Sequence, residues 1–254
     1  MAGLTTTGSV EPLLRIGDSC LVLAQRLTAW CGHAPALEED IALANVALDI
    51  LGHARALLTR AGQLDGASRD EDALAYLREA PDFRNLLLVE QPNGDFAHTL
   101  VRQLFFDAWT VPLWAALSTS TDEVVAGIAG KAAKEAAYHL RHSSAWIVRL
   151  GDGTEESHRR TQVAVDALWP YAGEAFLDDE VDIAAADTGL TPLPSSLQTT
   201  WRHTVEGVLS EATLDVPADP WWQRGGRQGQ HSEHLTYLLA EMQVVHRAHP
   251  GATW

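Results

Sequence analysis

Residues 38–63, EEDIALANVALDILGHARALLTRAGQ, decide the fold of this chain. The stretch is almost free of helix-breaking residues and is far longer than an average globular helix. Most of its positions are Ala, Leu, Ile or Val, so we expect a helix that is buried between other helices. One polar row crosses it at steps of four residues, Asn45, Asp49 and His53. Because residues four apart share a helix face, this row predicts a polar strip that needs partners from other helices.

The rest of the chain predicts more helices and no sheet. Long helical patterns cover residues 11–33, 95–118 and 122–150, and Pro112 lies within the second of these. Further helices are predicted at 69–80, 154–176, 195–214 and 231–248, and residues 177–194 are predicted to be a surface loop with one helical turn. Short connections favour antiparallel neighbours, so we predict an all-α four-helix bundle with additional C-terminal helices. We expect a single domain over residues 1–254, with a disordered lead at 1–10.

Composition excludes several classes of partner. Hydrophobic residues make up 46% of the chain and charged residues 20%, as in an ordinary globular protein. The net charge of −16 argues against nucleic acid and anionic membranes as partners. We see no apolar run near the roughly 20 residues that span a bilayer, and no signal peptide at the start. Cys20 and Cys31 are about 16 Å apart on one predicted helix, so we expect two buried thiols and a cytoplasmic location.

A second set of polar side chains lies on the third and fourth long helices. The third helix carries Gln103 and Asp107, and Asp107 is surrounded by large apolar residues in LFFDAW. With the row on the second helix, they predict a polar core made of the following residues: Asn45, Asp49, His53, Gln103, Asp107, Lys131, Lys134, Glu135, Tyr138 and His139. Di-iron carboxylate bundles have this layout, with a Glu on each of two helices and Glu-x-x-His on each of the other two.

The strict di-iron pattern is not met. Asp49 is followed three residues later by Gly52, and Glu135 by Tyr138. The histidines of the set stand one position further on, which does not reproduce the bridging geometry. We therefore assign neither a metal nor a catalytic residue to this chain.

We interpret the set as a relic di-iron site. In this hypothesis Lys131 or Lys134 replaces the metal charge by pairing with Asp49, Asp107 or Glu135. Two alternatives remain: ordinary core polar residues with satisfied hydrogen bonds, and an autonomous di-metal oxidase or oxygenase with a degenerate carboxylate site.

Two weaker motifs lie near the C-terminus. HSEHL at residues 231–235 brings two histidines and a glutamate close together, but they cannot all share one helix face. The glycine-rich, basic loop before it offers candidates for a partner interface, namely Trp221, Trp222, Arg224 and Arg227. Aromatic and arginine side chains are enriched in such interfaces.

Several long blocks of the chain resemble a known family. They are EEDIALANVALDILGHAR, LLLVEQPNGDFAHTLVRQLFFDAW, KEAAYHLRHSSAWIVRLGDGTEES, SEATLDVP and the ending GGRQGQHSEHLTYLLAEMQ…PGATW. These blocks resemble the C subunits (PaaC) of the ring 1,2-phenylacetyl-CoA epoxidases, also called phenylacetate-CoA oxygenases. The similarity covers essentially the whole chain after about residue 11.

The resemblance implies a ferritin-like fold and a role in aerobic phenylacetate breakdown. It implies a homologous catalytic A subunit as partner, which holds the di-iron centre and binds the substrate, while the C subunit is structural. It therefore implies no cofactor in this chain and contacts with other subunits of the complex. Because its partner is absent when the chain is isolated, we also expect a possible homodimer there.

Overall fold

The structure is a computed structural model that describes residues 7–252, with side chains from residue 10. All of its regular elements are helices, so the all-α prediction is confirmed for the described residues. The chain, predicted to be one domain, divides into two compact units. The first unit comprises residues 1–92 and 225–254, and the second comprises residues 93–224.

The first unit is built on a pair of long helices, α1 (Thr7–Thr28) and α2 (Leu37–Leu64). Leu13, Leu23 and Leu27 of α1 are buried, as are Ile50 and Leu57 of α2. The two helices pack along their length, and the short connection between them makes them an antiparallel hairpin. The unit is completed by α3 (Glu71–Tyr76), a 3₁₀ turn (Ala80–Asp82), α4 (Leu87–Glu90), a second 3₁₀ turn (Gly226–Gln228) and α10 (Glu233–Ala248).

The second unit is built on α5 (Phe96–Leu117) and α6 (Glu123–Gly151). Asp95 and Asp122 cap these helices, accepting hydrogen bonds from backbone N–H groups of the first turn. The remaining elements are α7 (Glu155–Ala172), α8 (Glu180–Asp187), α9 (Gln198–Glu211) and two 3₁₀ turns (Gly173–Phe176 and Pro194–Leu197). Helices α7 and α9 pack on α5 and α6.

Tryptophan and phenylalanine side chains fill the core of the second unit. The ring of Trp201 lies 5.5 Å from Trp169, 5.8 Å from Phe105 and 5.2 Å from Phe176, measured between ring centroids. The indole N–H of Trp201 donates to the Phe105 carbonyl at 2.9 Å. Aromatic rings in these geometries attract each other beyond their burial of area, and the hydrogen bond satisfies the buried indole.

Most helix boundaries agree with the predictions, and the differences have local causes. Helix α5 continues through Pro112, as predicted. Helix α1 ends five residues early, because the chain turns at Gly32, whose φ is +79°. The loop predicted at 177–194 contains a two-turn helix, α8, which is capped by Asp179. The predicted lead at residues 1–10 falls largely outside the described residues, but residues 7–10 already belong to α1.

Two expectations about burial were wrong. Cys20 is buried, but Cys31 lies beyond the end of α1 and is exposed. Helix α2 is not buried on all sides, because one apolar face, which includes Leu37 and Leu48, is exposed. Contrary to our expectation, α2 is also long and apolar enough to cross a membrane by length and composition, although 44% of the relevant window is buried. A helix that packs its core face on a neighbour, as α2 does on α1, meets the same criteria.

The glycine-rich loop of the first unit packs directly on another backbone segment. A Cβ atom on Gly226 would lie 2.3 Å from the carbonyl oxygen of Asn85, and one on Gly229 would lie 2.3 Å from that of Pro81. No side chain fits at such distances. The glycines of this loop therefore serve close packing within the unit.

We expect Gly226→Ala to lower the free energy of unfolding by roughly 1–3 kcal/mol, because the new methyl group must displace backbone atoms. Urea titration of the full chain measures the change. Gly127→Ala is the matched control, since no atom lies within 4 Å of its Cβ position in α6. There we expect no loss, and a gain of up to about 1 kcal/mol from helix propensity. Equal effects of the two substitutions would contradict the close packing.

Candidate functional site

Asp107 is the centre of the predicted polar set in the second unit. It lies on α5, and only 1% of it is exposed. One carboxylate oxygen accepts a hydrogen bond from the Gln103 amide at 2.7 Å, and the other accepts one from the Ser143 hydroxyl of α6 at 2.8 Å. The structure therefore brings Gln103 and Asp107 together, as predicted, and adds Ser143.

Burial governs the charge of this carboxyl. Removal from water raises the pKa of Asp107 to about 8, and the hydrogen bonds from Ser143 and Gln103 offset part of that rise. At neutral pH most molecules therefore carry a protonated, uncharged Asp107. From the sequence we expected a lysine to neutralise this carboxylate, whereas in the structure a proton does so.

One buried polar atom beside Asp107 lacks a hydrogen-bond partner among the described residues. It is the side-chain oxygen of Gln103, whose amide nitrogen donates to Asp107 at 2.7 Å.

Ser143 was missed by the sequence reasoning, although a signal for it exists. It continues the four-residue row of α6 that runs through Lys131, Glu135 and His139. A hydroxyl is not a metal ligand of the di-iron class, so a search for carboxylates and imidazoles passed over it. As a hydrogen-bond donor it is what a buried carboxyl needs.

The α6 row passes from the surface into the core. The side chain of Lys131 is 77% exposed and that of Glu135 is 23% exposed, whereas His139 and Ser143 are buried. Lys131 does pair with Glu135, at 3.5 Å, but it does so at the surface. Each step of four residues turns the side chain by about 40° around the helix axis, which moves the row from one face to the next.

Two further residues of the predicted polar core lie on the outer face of α6. Lys134 and Tyr138 are exposed, and the guanidinium of Arg141 lies 5.2 Å from the centre of the Tyr138 ring. Their assignment to a polar core is therefore wrong in this chain. Position within the helical turn, rather than residue type, decides which members of the set are buried.

The row on α2, in the first unit, drifts in the same way. Asn45 is exposed, Asp49 is half-buried and His53 is buried. Asn45 therefore does not belong to a buried polar strip. Asp49 and His53 remain candidate members of the predicted polar core, and both lie within the first unit.

The first unit contains two buried carboxylates that the predicted set did not include. Asp18 of α1 is fully buried and forms an ion pair with Arg78, which donates from both terminal nitrogens, and it also accepts from the backbone N–H of Arg84 at 2.9 Å. Here an arginine compensates the charge. This ion pair ties α1 to the segment that follows α3.

Glu90 is the other buried carboxylate, and the C-terminal loop supplies most of its donors. His231 lies 2.6 Å from it through Nδ1, and Ser232 donates from both its backbone N–H and its hydroxyl. The second ring nitrogen of His231 lies 3.0 Å from the Phe83 carbonyl. Both ring nitrogens of His231 therefore face oxygen acceptors, one on the Glu90 side chain and one on the backbone. Two residues of the HSEHL motif, His231 and Ser232, thus contact the carboxylate of Glu90 in the same unit.

The four interface candidates lie in different environments. Trp221 is 78% exposed, and the Arg224 guanidinium lies 5.5 Å from the centre of its ring. Trp222 instead packs on the backbone of its own unit, where a Cβ on Gly173 would lie 2.1 Å from its ring. Arg227 is buried. Trp222 and Arg227 therefore pack within their own units, contrary to the prediction that they form surface contacts. Trp221 and Arg224 remain accessible.

The residues around Asp107 do not fit a di-iron centre. Both oxygens of Asp107 receive hydrogen bonds, from the amide of Gln103 and the hydroxyl of Ser143, and neither donor is a ligand of the di-iron class. Glu135, the other carboxylate of the set in this unit, is paired with Lys131 near the surface. In the part of the chain that the structure describes, no group of three or more His, Cys, Asp or Glu side chains is placed to hold a metal ion.

A family model described as "Phenylacetic acid catabolic protein" matches residues 1–254. The chain belongs to this family. Its sequence is 51% identical over 241 residues to the C subunit of the 1,2-phenylacetyl-CoA epoxidase of Escherichia coli (strain K12), covering 95% of this chain and 97% of the relative. The resemblance inferred from the sequence blocks is thereby confirmed. The all-helical architecture agrees with the ferritin-like fold that this family implies.

We expect the titration of Asp107 to govern how stability depends on pH. The folded pKa of about 8 lies above the ordinary value of 3.8, so between pH 4 and pH 8 the unfolded chain releases this proton and the folded chain keeps it. The contribution of Asp107 to stability is complete below pH 4 and is lost as the pH rises towards 8. Its slope approaches about 1.4 kcal/mol per pH unit.

Asp107→Asn removes this titration, and its amide oxygen can still accept the hydrogen bond from the Gln103 amide. We therefore expect the variant to gain stability relative to the natural chain as the pH rises from 5 to 7, measured by urea unfolding. Asp187→Asn, at an exposed position of the same unit, should leave the pH dependence unchanged. Parallel pH profiles for Asp107→Asn and the natural chain would show that Asp107 is not protonated in the folded state.

Proposed function

We propose that this chain is the non-catalytic subunit of a 1,2-phenylacetyl-CoA epoxidase and that it binds and stabilises the catalytic A subunit in the cytoplasm. The observation that carries the proposal is the 51% identity to the C subunit of such an epoxidase over nearly the full length of both chains. Identity at this level, without large insertions or truncations, supports the same role in the same assembly.

The environment of Asp107 supports the non-catalytic part of the proposal. Oxygen chemistry at a di-iron centre requires ionised carboxylates and imidazoles that converge on the metals. This chain instead directs an amide and a hydroxyl at its most buried carboxyl in the second unit. We assign the epoxidation chemistry to the partner subunit, which would supply the iron.

Exposed aromatic surface supports the binding part. Trp221 presents most of its ring to solvent, and Arg224 stacks on it. Tryptophan and arginine are the residues that most often dominate the energy of protein interfaces. We propose this pair as one contact with the A subunit.

Co-expression with a tagged A subunit tests the assembly. We expect this chain to co-purify with the A subunit, the iron to remain with the A subunit, and the A subunit alone to be poorly soluble or inactive. Elemental analysis of each purified chain locates the metal. An A subunit that is stable and fully active alone would overturn the proposal, as would two irons per copy of this chain.

For the proposed contact, we expect Trp221→Ala to weaken the affinity for the A subunit by about 30-fold, the loss typical of a central interface tryptophan. The affinity is measured by biolayer interferometry on the immobilised A subunit. Tyr237→Ala is the matched control, because Tyr237 is an exposed aromatic residue on α10. Equal affinities of the two variants would remove Trp221 from the interface without affecting the co-purification result.

A further inference from the structure

The outer face of α6 carries a group of cations in a chain that is acidic overall. Lys134, Arg141 and Arg149 are exposed there, beside Tyr138, which is 51% exposed. At 100° per residue these four positions fall within about 80° around the helix axis, and they extend over about 22 Å along it. We call these four residues the basic face of α6.

The three cations of the basic face have no carboxylate partner among the described residues. The Arg141 guanidinium lies 5.2 Å from the centre of the Tyr138 ring, and that of Arg149 lies 5.4 Å from the centre of the Trp146 ring. Between its first and last turns α6 contains one carboxylate, Glu135, and this residue is paired with Lys131 at 3.5 Å. The helix therefore does not neutralise its own basic face.

Such a grouping of unpaired cations contrasts with other exposed arginines of the chain. Arg69 is paired with Asp65, Arg159 with Glu156 and Arg202 with Asp219, at 2.7 to 2.9 Å. Acidic residues outnumber basic ones by 34 to 18, so most exposed cations have an acid within reach. At physiological ionic strength the Debye length is about 8 Å. A partner in contact with the basic face is therefore attracted by these cations and is largely screened from the remote negative charge.

Charge complementarity selects an anionic partner, and the spacing of the cations selects its form. Guanidinium groups bind carboxylates through two parallel hydrogen bonds, and lysine binds them as a point charge. Along the axis Lys134 and Arg141 are about 10 Å apart, and Arg141 and Arg149 about 12 Å. Carboxylates two turns apart on one face of a helix have nearly the same spacing, about 10.5 Å. Duplex nucleic acid carries one charge per about 1.7 Å, a density that the acidic remainder of this chain would repel.

The apolar content of the basic face decides how strong the contact is. Tyr138 is its one large ring, and the exposed neighbours Ala137 and Ala145 are small. Obligate interfaces bury large apolar areas, whereas contacts made mainly by charges associate fast, dissociate fast and weaken with salt. The basic face therefore suits a partner that comes and goes, rather than a permanent subunit.

We propose that the basic face of α6 is a docking surface for an acidic helix of a transiently associating protein other than the A subunit. The inference does not depend on the proposed function, because it is drawn from the charge and exposure of this chain alone.

The lysines of the chain give a direct test, because Lys131 and Lys134 are its only two. A carbodiimide joins an amine to a carboxylate only when the two groups are in contact. The probe is an acetylated alanine-rich helical peptide of about 22 residues, with glutamates at seven-residue steps on one face. We expect it to be coupled to Lys134 of the full chain, as located by mass spectrometry. The yield should fall at least several-fold in about 1 M NaCl, where the Debye length is about 3 Å.

Two charge reversals show whether the basic face guides the coupling. Arg141→Glu leaves both lysines in place, and we expect it to lower the yield at Lys134 by about five- to ten-fold. Arg159→Glu is the matched control, because it makes the same change of charge at an exposed arginine of α7 that is already paired. It should leave the yield unchanged. Circular dichroism of both variants verifies that they are folded.

The proposal is overturned if the natural chain is not coupled at Lys134, or if the two variants give equal yields, since accessibility of the amine alone would then govern the reaction. It is also overturned if an oligothymidylate or phosphatidylglycerol vesicles displace the peptide at a lower concentration of charge than free peptide does. Loss of coupling in the complex with the A subunit would assign this face to that subunit and overturn the proposal of a separate partner. Co-purification with the A subunit is measured independently, so failure here does not count against the proposed function.

Discussion

The geometry of the α-helix is the constraint on which the rest of this structure depends. Each residue turns the chain by about 100°, so side chains four positions apart are displaced by about 40° around the axis. A row of four such residues therefore crosses from the surface to the core. This is why Lys131 and Ser143 belong to one row of α6, yet one is solvated and the other contacts a buried carboxyl. The same drift separates Asn45 from His53 on α2.

Burial of carboxylates is compensated in three different ways in this chain. Asp18 is paired with an arginine, Glu90 is contacted by the His231 ring, a hydroxyl and two N–H donors, and Asp107 retains its proton. The choice follows from what the neighbouring segments can supply. Asp107 lies among apolar side chains on α5, and the donors that reach it are an amide and a hydroxyl, so a neutral carboxyl is the least costly state. The buried acid of the second unit is therefore neutral and hydrogen-bonded.

The apolar residues of α2 have two separate roles. One face builds the first unit with α1, and the other, which includes Leu37 and Leu48, is exposed. Exposed aromatic surface occurs in the second unit as well, at Trp221. A chain whose relative is a subunit of a larger enzyme is expected to present such surfaces, since stable association needs apolar area that is buried only in the assembly.

The sequence by itself determined the helical class, the positions of α2, α5 and α6, and the family of the chain. These features follow from local periodicity and from long specific blocks, both of which are readable along one chain. It also indicated that Gln103 and Asp107 would be neighbours, because both lie on one helix four residues apart.

Tertiary structure alone decided which polar residues are buried and what compensates them. Arg78 reaches Asp18 from 60 residues away, Ser143 reaches Asp107 from 36, and Ser232 reaches Glu90 from 142. No periodicity encodes such contacts. Tertiary packing also decided that the glycines near residue 226 serve close packing, that Arg227 is buried, and that one face of an apolar helix remains exposed. The physical reason is the same in each case: burial depends on which surfaces the fold brings together, whereas the sequence specifies only which surfaces each helix has to offer.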